Sequence, residues 1–207
     1  MFRLETRRLW LRWPRAKDAA ALTAIASRRE VAEMTSRIPH PYPAGAAEAF
    51  ILQAREANTS GEEIALVAML ATGKREVIGT VSARHNDEGR IEIGYAFAPE
   101  HWGRGYATEA VHALVDAIFM LTDEPAIEAK VRVVNAASQG VLRKCGFATV
   151  GTGLESFPAR GGLYPVDFFR LERKVWKSLK LWAEPELVLP PRRPVAAPEW
   201  SAEALGA

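Results

Sequence analysis

Apolar and polar residues alternate along this chain with two different periods, which predicts short strands interleaved with amphipathic helices. Leu9, Leu11 and Trp13 recur at every second position, as expected of a strand with one buried face. Segments with this period, or short apolar runs, are expected strands near 9–13, 64–71, 76–83, 91–98, 127–134, 147–151 and 164–171. Segments with apolar residues three or four apart are expected helices near 19–29, 44–58, 106–121 and 136–144.

The order of these elements indicates the fold class. Strand, two helices, three strands, helix, strand, helix and two strands predict an α/β chain of the α+β kind. About four helices would flank a mixed, mostly antiparallel central sheet of about seven strands. A further short helix is expected over 174–182. Prolines recur from Glu184 onward, so we expect a proline-rich tail with little core of its own.

Composition and charge narrow the function classes. The 207 residues suit one domain, and 48% hydrophobic residues provide a core. Lys and Arg number 27 against 25 Asp and Glu, without the basic stripe typical of nucleic-acid-binding proteins. The apolar run 111–121 is too short to span a bilayer, the N-terminus lacks the apolar core of a signal peptide, and one cysteine disfavours a zinc site. We therefore expect a cytoplasmic protein without a metal, membrane or nucleic-acid partner.

The most informative stretch is a strand that leads into a glycine-rich turn and then a helix. The strand carries a single acid, Glu92, and ends at Pro99, and the turn over 102–108 reads Trp-Gly-Arg-Gly-Tyr-Ala-Thr. The first N–H groups of a helix lack internal partners and lie at the positive end of its dipole, so such a turn can hold a phosphate. The turn has no Gly-Lys-Ser/Thr ending, so it is not a P-loop, and Thr108 stands at the third glycine position of a dinucleotide fingerprint. An ordinary turn without a ligand has the same pattern.

Four motifs in this order resemble the GNAT superfamily of N-acetyltransferases, and within it the branch of ribosomal-protein N-terminal acetyltransferases. They lie at 6–12 with Asp18 and Ala19, at 78–80, at 92–95 with 102–110, and at 135–138 with 141–147. The resemblance covers residues 6–173, which implies a GNAT domain there and an extension over 174–207. This sequence departs from the superfamily pattern at Trp102, where a Gln or Arg is usual, and at Leu142, where many relatives have a tyrosine acid.

The resemblance implies an acetyl-CoA-dependent N-acetyltransferase that needs no metal. The amine would attack the thioester directly while both substrates are bound, and the branch favours the N-terminal α-amine of a protein, such as a ribosomal one. Two alternatives stay open. The acceptor can be a small amine (an amino acid, a polyamine or an antibiotic), or the domain can be a non-catalytic sensor of acetyl-CoA. A monomer and a homodimer both fit the sequence.

The resemblance also implies catalytic roles. Glu92 matches a general base of the superfamily. Burying an acid in an apolar strand costs free energy, so such an acid is expected to be paired or to serve a function. The alternative for Glu92 is a solvent-facing residue or a structural ion pair. Ser138 would protonate the departing thiolate, or else it only caps the closing helix. Cys145 is expected to be a buried, inert thiol.

Binding residues follow from the same resemblance. In the superfamily the end of this strand splays from its neighbour and pairs with the pantetheine arm, the turn holds the pyrophosphate, and the closing motif lies near the arm. The expected cofactor-binding residues are Ala96, Phe97, Ala98, Trp102, Gly103, Arg104, Gly105, Tyr106, Ala107, Thr108, Asn135 and Ser138. His40, Tyr42 and Asp167 are expected near the acceptor, with Glu155 a weaker choice.

Overall fold

A computed structural model describes residues 2–180, and the proline-rich tail expected beyond Glu184 lies outside the described residues. The described chain contains eight strands and six α-helices. The strands are β1 Arg3–Glu5, β2 Leu9–Arg12, β3 Glu63–Leu70, β4 Val77–His85, β5 Ile91–Phe97, β6 Ala126–Arg132, β7 Ala148–Phe157 and β8 Gly162–Glu172. The helices are α1 Ala19–Ala26, α2 Arg29–Ala32, α3 Ala46–Ser60, α4 Tyr106–Leu121, α5 Ala136–Lys144 and α6 Arg173–Lys180.

All eight strands form one sheet in the order β1-β2-β3-β4-β5-β6-β8-β7. Every neighbouring pair is antiparallel except β5 and β6, which run parallel. These two strands pair only at Ile91 with Ile127 and at Glu92 with Glu128. Beyond Glu92 the strands separate, so the rest of β5 has one edge that is free of a neighbouring strand.

The two faces of the sheet pack against different helices. On one face, Leu114 of α4 joins a core that contains Ile91 and Ile93 of β5. On the other face, α1 and α3 cover Val67 of β3. Because side chains alternate across a strand, Glu92 projects from the face opposite to Ile91 and Ile93.

The predicted fold class, a mixed sheet with flanking helices, is confirmed, and the differences lie in small elements. Strand β1 escaped prediction because Leu4 is the one buried residue among its three, and helix α2 spans only four residues. Strand β7 extends to Phe157, well past the predicted end at residue 151. Seven of the ten residues of β7 are exposed and only Phe157 is buried, so the strand lacks the buried face from which a strand is recognised. The short helix expected over 174–182 is present as α6.

Within residues 2–180, no helix has an apolar stretch of the length needed to cross a membrane.

Candidate active site

The separation of β5 from β6 exposes main-chain groups at the end of β5. Ala98 N–H is committed to β4, because it donates to the carbonyl oxygen of Ile78 at 2.9 Å. Successive N–H groups of a strand point to opposite edges, so the N–H of Phe97 is turned toward the open side. Of the three residues expected to pair with a ligand at this strand end, Phe97 is therefore the one that offers a free donor.

A groove of about 1930 Å³ runs along this open edge. Its walls bring together residues from β5, the glycine turn, α5 and the loop after α2. Candidates that line the groove are Tyr42, Glu92, Ala96, Phe97, Trp102, Gly103, Gly105, Tyr106, Ala107, Thr108, Asn135, Ser138 and Glu155. Ala98, Arg104, His40 and Asp167 are not among its lining residues.

The glycine turn opens directly onto the start of α4. Gly103 and Gly105 have φ angles of 71° and 78°, a left-handed conformation that residues with a Cβ rarely adopt. The turn thereby folds back, and Tyr106 begins the helix. The first amides of α4 have no intrahelical acceptor and lie at the positive end of its dipole. These groups form a main-chain site suited to an anion such as a pyrophosphate.

Trp102 joins this turn to the end of β5. Its indole N–H donates to the carbonyl oxygen of Phe97 at 2.7 Å, although nearly half of the Trp102 surface is exposed. The residue that departs from the superfamily pattern therefore makes a polar contact of its own. This contact fixes the turn relative to the open strand edge.

Glu92 belongs to a chain of charged side chains on the groove wall. The ammonium of Lys130 lies 3.4 Å from Oε2 of Glu92 and 3.0 Å from Oε1 of Glu155. Burial alone would lower the pKa of Lys130, but the hydrogen bond and charge of Glu155, together with the charge of Glu92, raise it. Lys130 is therefore a firmly protonated partner of both acids. The sequence predicted the acid in β5 but not its cation, because the partner lies on another strand.

Ser138 is held from two sides at the start of α5. Its N–H donates to Oδ1 of Asn135 at 3.1 Å, so Asn135 caps the helix. Its Oγ lies 2.6 Å from the hydroxyl oxygen of Tyr95, which also donates to the Ser138 carbonyl oxygen at 3.0 Å. Burial raises the pKa of Tyr95 well above its ordinary value, so the phenol stays protonated. Sequence reasoning missed Tyr95 because it looked like an ordinary core residue of the strand.

Two acceptor candidates lie in other surroundings. His40 lines a separate cavity of about 480 Å³, together with Arg132 and Arg160. Asp167 is already engaged, because its carboxylate accepts from Nε2 of Gln139 at 3.0 Å and from Oγ1 of Thr152 at 2.7 Å. The structure thus does not bring either residue to the groove.

Two further positions from the sequence are buried. Leu142 is fully buried in the core, which accounts for an apolar residue at that position. Cys145 is buried, and its burial raises the pKa of the thiol, which keeps it protonated at neutral pH. Among residues 2–180, no group of three or more His, Cys, Asp or Glu side chains is placed to hold a metal ion.

Comparisons with known proteins agree with this geometry. The sequence model of one protein family, described as the acetyltransferase (GNAT) domain, matches residues 8–148. An uncharacterized N-acetyltransferase, p20, from Bacillus licheniformis is 32% identical over 173 residues, which cover 83% of this chain and 96% of that protein.

Solved structures share the fold at lower identity. The ribosomal-protein-S5-alanine acetyltransferase from Vibrio fischeri has 21% identity and a TM-score of 0.71, covering 85% of this chain and 99% of that chain. The spermidine N-acetyltransferase from Vibrio cholerae, solved in complex with CoA and spermine, has 20% identity and a TM-score of 0.67, covering 82% of this chain and 98% of that chain. The chain belongs to the GNAT family of acetyltransferases.

Proposed function

We propose that this protein transfers the acetyl group of acetyl-CoA to a primary amine, and that its preferred acceptor is the N-terminal α-amine of a protein. The observation that carries the proposal is one continuous groove, which reaches from the glycine turn past the open edge of β5 to Glu92 and Ser138. A donor and an acceptor can occupy the two ends of such a groove at the same time, which direct transfer requires.

The donor would bind mainly through main-chain groups. The pyrophosphate would lie against the amides of residues 103–108 at the positive end of α4. The pantetheine arm would follow the open edge of β5, and Asn135 would lie beside it. The N–H of Phe97 is the donor available to stabilise negative charge on the carbonyl oxygen during attack.

The reaction would proceed in one ternary complex. The amine nitrogen forms a bond to the thioester carbon, the C–S bond breaks, and CoA departs as a thiolate. An unperturbed α-amine has a pKa near 8, so its deprotonation needs only modest help, which Glu92 would give by accepting the proton through a water. Ser138 would then donate its hydroxyl proton to the sulfur and take up the proton that the acylated nitrogen releases, so that the thiolate becomes a thiol and no alkoxide remains.

A small cationic amine is a second candidate acceptor. Glu56, Glu62 and Glu63 line the groove, and their charges would favour a protonated amine. Arg37, Arg84 and Lys130 face the same groove, however, and would repel an acceptor with several positive charges. Across the whole lining, eight acidic side chains nevertheless face four basic ones, so the charge of the groove favours a cationic acceptor in general, and the preference for a protein N-terminus rests on the resemblance to the ribosomal-protein acetyltransferases.

Release of free CoA thiol from acetyl-CoA tests the proposal. Peptides that differ in their N-terminal residue should support release better than a panel of polyamines, amino acids and aminoglycosides. Glu92→Gln should lower kcat by about 10²–10⁴-fold with the best acceptor, and Ser138→Ala should lower it as well. Glu5→Gln, which removes a half-buried acid that pairs with Arg3 on β1, is the matched control.

Three other results would each change a different part of the proposed function. Release only with small amines would replace the protein acceptor by a metabolite. Tight binding of acetyl-CoA without release for any acceptor would favour a sensor over an enzyme. Full activity of both variants would remove Glu92 and Ser138 from the mechanism.

A further inference from the structure

A residue from the beginning of the chain lies beside the glycine turn. Arg8, in the connection between β1 and β2, donates from Nη1 to the carbonyl oxygen of Arg104 at 2.9 Å. Its guanidinium carbon lies 4.5 Å from the centre of the Tyr106 ring. A Cβ atom placed on Gly105 would come within 3.4 Å of Nη2 of Arg8. The guanidinium therefore borders the main-chain anion site, yet no sequence motif connects the two segments.

The same arginine pairs with an acid in the first turn of α4. Nε of Arg8 donates to Oε2 of Glu109 at 2.6 Å, and the Arg8 main-chain N–H donates to Oε1 at 2.7 Å. The hydroxyl of Thr6 donates to Oε1 at 2.6 Å. Burial alone would raise the pKa of Glu109, but the hydrogen bonds from Thr6 and Arg8 lower it. Glu109 is therefore an anion at neutral pH.

An anion at this place conflicts with phosphate binding. The positive end of a helix is equivalent to roughly half an elementary charge, which a full carboxylate charge in the first turn would cancel and reverse. Glu109 lies within one turn of Tyr106, so it would repel a pyrophosphate bound at the turn. Arg8 offsets this charge, because its guanidinium contacts the carboxylate on one side and the turn on the other.

We infer that Arg8 is a positioning residue of the donor site, which neutralises the charge of Glu109 beside the pyrophosphate and holds the Arg104 carbonyl of the glycine turn. The inference rests on the proposed function, because it requires the pyrophosphate at residues 103–108. Two of the five guanidinium donors are used by Glu109 and Arg104, so the guanidinium ties the first turn of α4 to the glycine turn.

Calorimetric titration with acetyl-CoA and with S-acetylpantetheine, which lacks the pyrophosphate, tests the inference without any acceptor. Arg8→Gln should weaken acetyl-CoA binding by about tenfold, because it leaves the Glu109 charge uncompensated, and should change S-acetylpantetheine binding by less than about twofold. The double variant Arg8→Gln/Glu109→Gln should regain most of the lost affinity. Arg7→Gln, which removes the neighbouring exposed arginine, should stay within about twofold of the wild type.

The competing outcomes are distinct. Equal losses for both ligands in Arg8→Gln, or no recovery in the double variant, would mean that Arg8 only braces the fold, and would overturn the inference. Thermal unfolding of Arg8→Gln, and of Arg8→Lys, which keeps the charge but loses the fork, shows whether each variant folds. If the wild type binds acetyl-CoA no better than S-acetylpantetheine, the proposed pyrophosphate site is wrong and the inference falls with it. If the wild type discriminates but Arg8→Gln does so equally well, only the inference fails.

Discussion

The hydroxyl oxygen of Tyr95 lies 2.6 Å from Oγ of Ser138 and 3.0 Å from the carbonyl oxygen of the same residue. The phenol has one proton and two acceptors, so rotation about its C–O bond chooses between them. When Tyr95 donates to Oγ, the serine proton is free to point at a sulfur in the groove. A serine hydroxyl is a weaker acid than a thiol, so a hydrogen bond from Tyr95 would help Ser138 to give up its proton to the leaving thiolate.

Tyr95→Phe should therefore slow turnover while leaving donor binding intact. The substitution removes one hydroxyl and keeps the buried ring in place. Loss of a hydrogen bond worth about 1–1.5 kcal/mol predicts a fall in kcat of about 5- to 13-fold, with an unchanged KM for acetyl-CoA. Steady-state kinetics of CoA release measures both constants.

A double-mutant cycle separates this role from simple packing. If Tyr95 acts through Ser138, Tyr95→Phe should have little further effect in a Ser138→Ala background. Tyr164→Phe is the matched control, because it removes the hydroxyl of a tyrosine on β8 that does not line the groove. Additive losses in the double variant would contradict the coupling.

Trp102→Phe should loosen the donor site and destabilise the fold slightly. The variant keeps an aromatic ring but loses the indole N–H that donates to the Phe97 carbonyl oxygen at 2.7 Å. A lost hydrogen bond of about 1 kcal/mol predicts a melting temperature lower by about 2–4 °C. Because the bond fixes the turn relative to β5, the Kd for acetyl-CoA should rise by about threefold.

Trp10→Phe provides the comparison for Trp102→Phe. Trp10 lies on β2 under the guanidinium groups of Arg3 and Arg75, away from the groove. Calorimetry and thermal unfolding of both variants should show an affinity change only for Trp102→Phe. If Trp102→Phe bound acetyl-CoA with unchanged affinity, the turn would be ordered without the indole.

Local features of the donor site were predictable from the sequence, whereas its long-range contacts were not. The strand with one acid, the glycine turn and the start of the next helix are adjacent in sequence, so their periodicities and the two glycines specify them. Arg8 and Glu109 are 101 positions apart, and Tyr95 and Ser138 are 43 positions apart. Such pairs arise from sheet order and helix packing, which no local pattern encodes.

The acceptor side illustrates the same limit. His40 lies in the proline-rich loop 38–43, of which Ile38, Pro39 and Tyr42 line the groove, and the resemblance implied that His40 would also border the acceptor. The chain instead turns His40 into the cavity beside Arg132 and Arg160. Tyr42, two residues later, does line the groove. In an irregular loop, no fixed period relates neighbouring positions to a common face, so sequence alone cannot assign the direction.

Asp18→Asn should strongly destabilise the protein. The Asp18 carboxylate accepts from Nη1 and Nη2 of Arg12 at 2.7 and 2.8 Å, and both side chains are about 95% buried. Asparagine would leave the guanidinium charge uncompensated in the interior. Breaking one partner of such a pair costs about 3–5 kcal/mol, which urea denaturation at pH 7 measures. Asp87→Asn, on the exposed turn between β4 and β5, should change the free energy of unfolding by less than about 0.5 kcal/mol.

The same pair predicts the direction of acid sensitivity. Burial alone would raise the pKa of Asp18, but hydrogen bonds from Arg12 and from the Arg15 N–H, together with the Arg12 charge, lower it. A carboxyl whose pKa is lower in the folded state stabilises the fold fully above its unfolded pKa of about 3.9, and this contribution is lost as the pH falls through the folded value. The wild-type free energy of unfolding should therefore drop below about pH 4, and that of Asp18→Asn should drop less. If the free energies of unfolding of the two proteins fell in parallel with decreasing pH, the result would contradict this assignment.

Arg173→Ala should weaken the fold without affecting the donor site. The Arg173 side chain donates to the carbonyl oxygens of Phe119, Thr122 and Glu124, each at 2.7 Å, where α4 ends. The last carbonyls of a helix lack internal partners and carry negative partial charge, so this cation stabilises the end of α4. We expect a loss of about 2–3 kcal/mol in the free energy of unfolding. The 16 residues of α4 separate its C-terminal end from the glycine turn by about 24 Å, so the Kd for acetyl-CoA should stay unchanged. Lys177→Ala, at an exposed position of α6, should change neither the free energy of unfolding nor the Kd for acetyl-CoA. A loss of affinity in Arg173→Ala at unchanged stability would contradict the prediction and would show that the two ends of α4 are coupled.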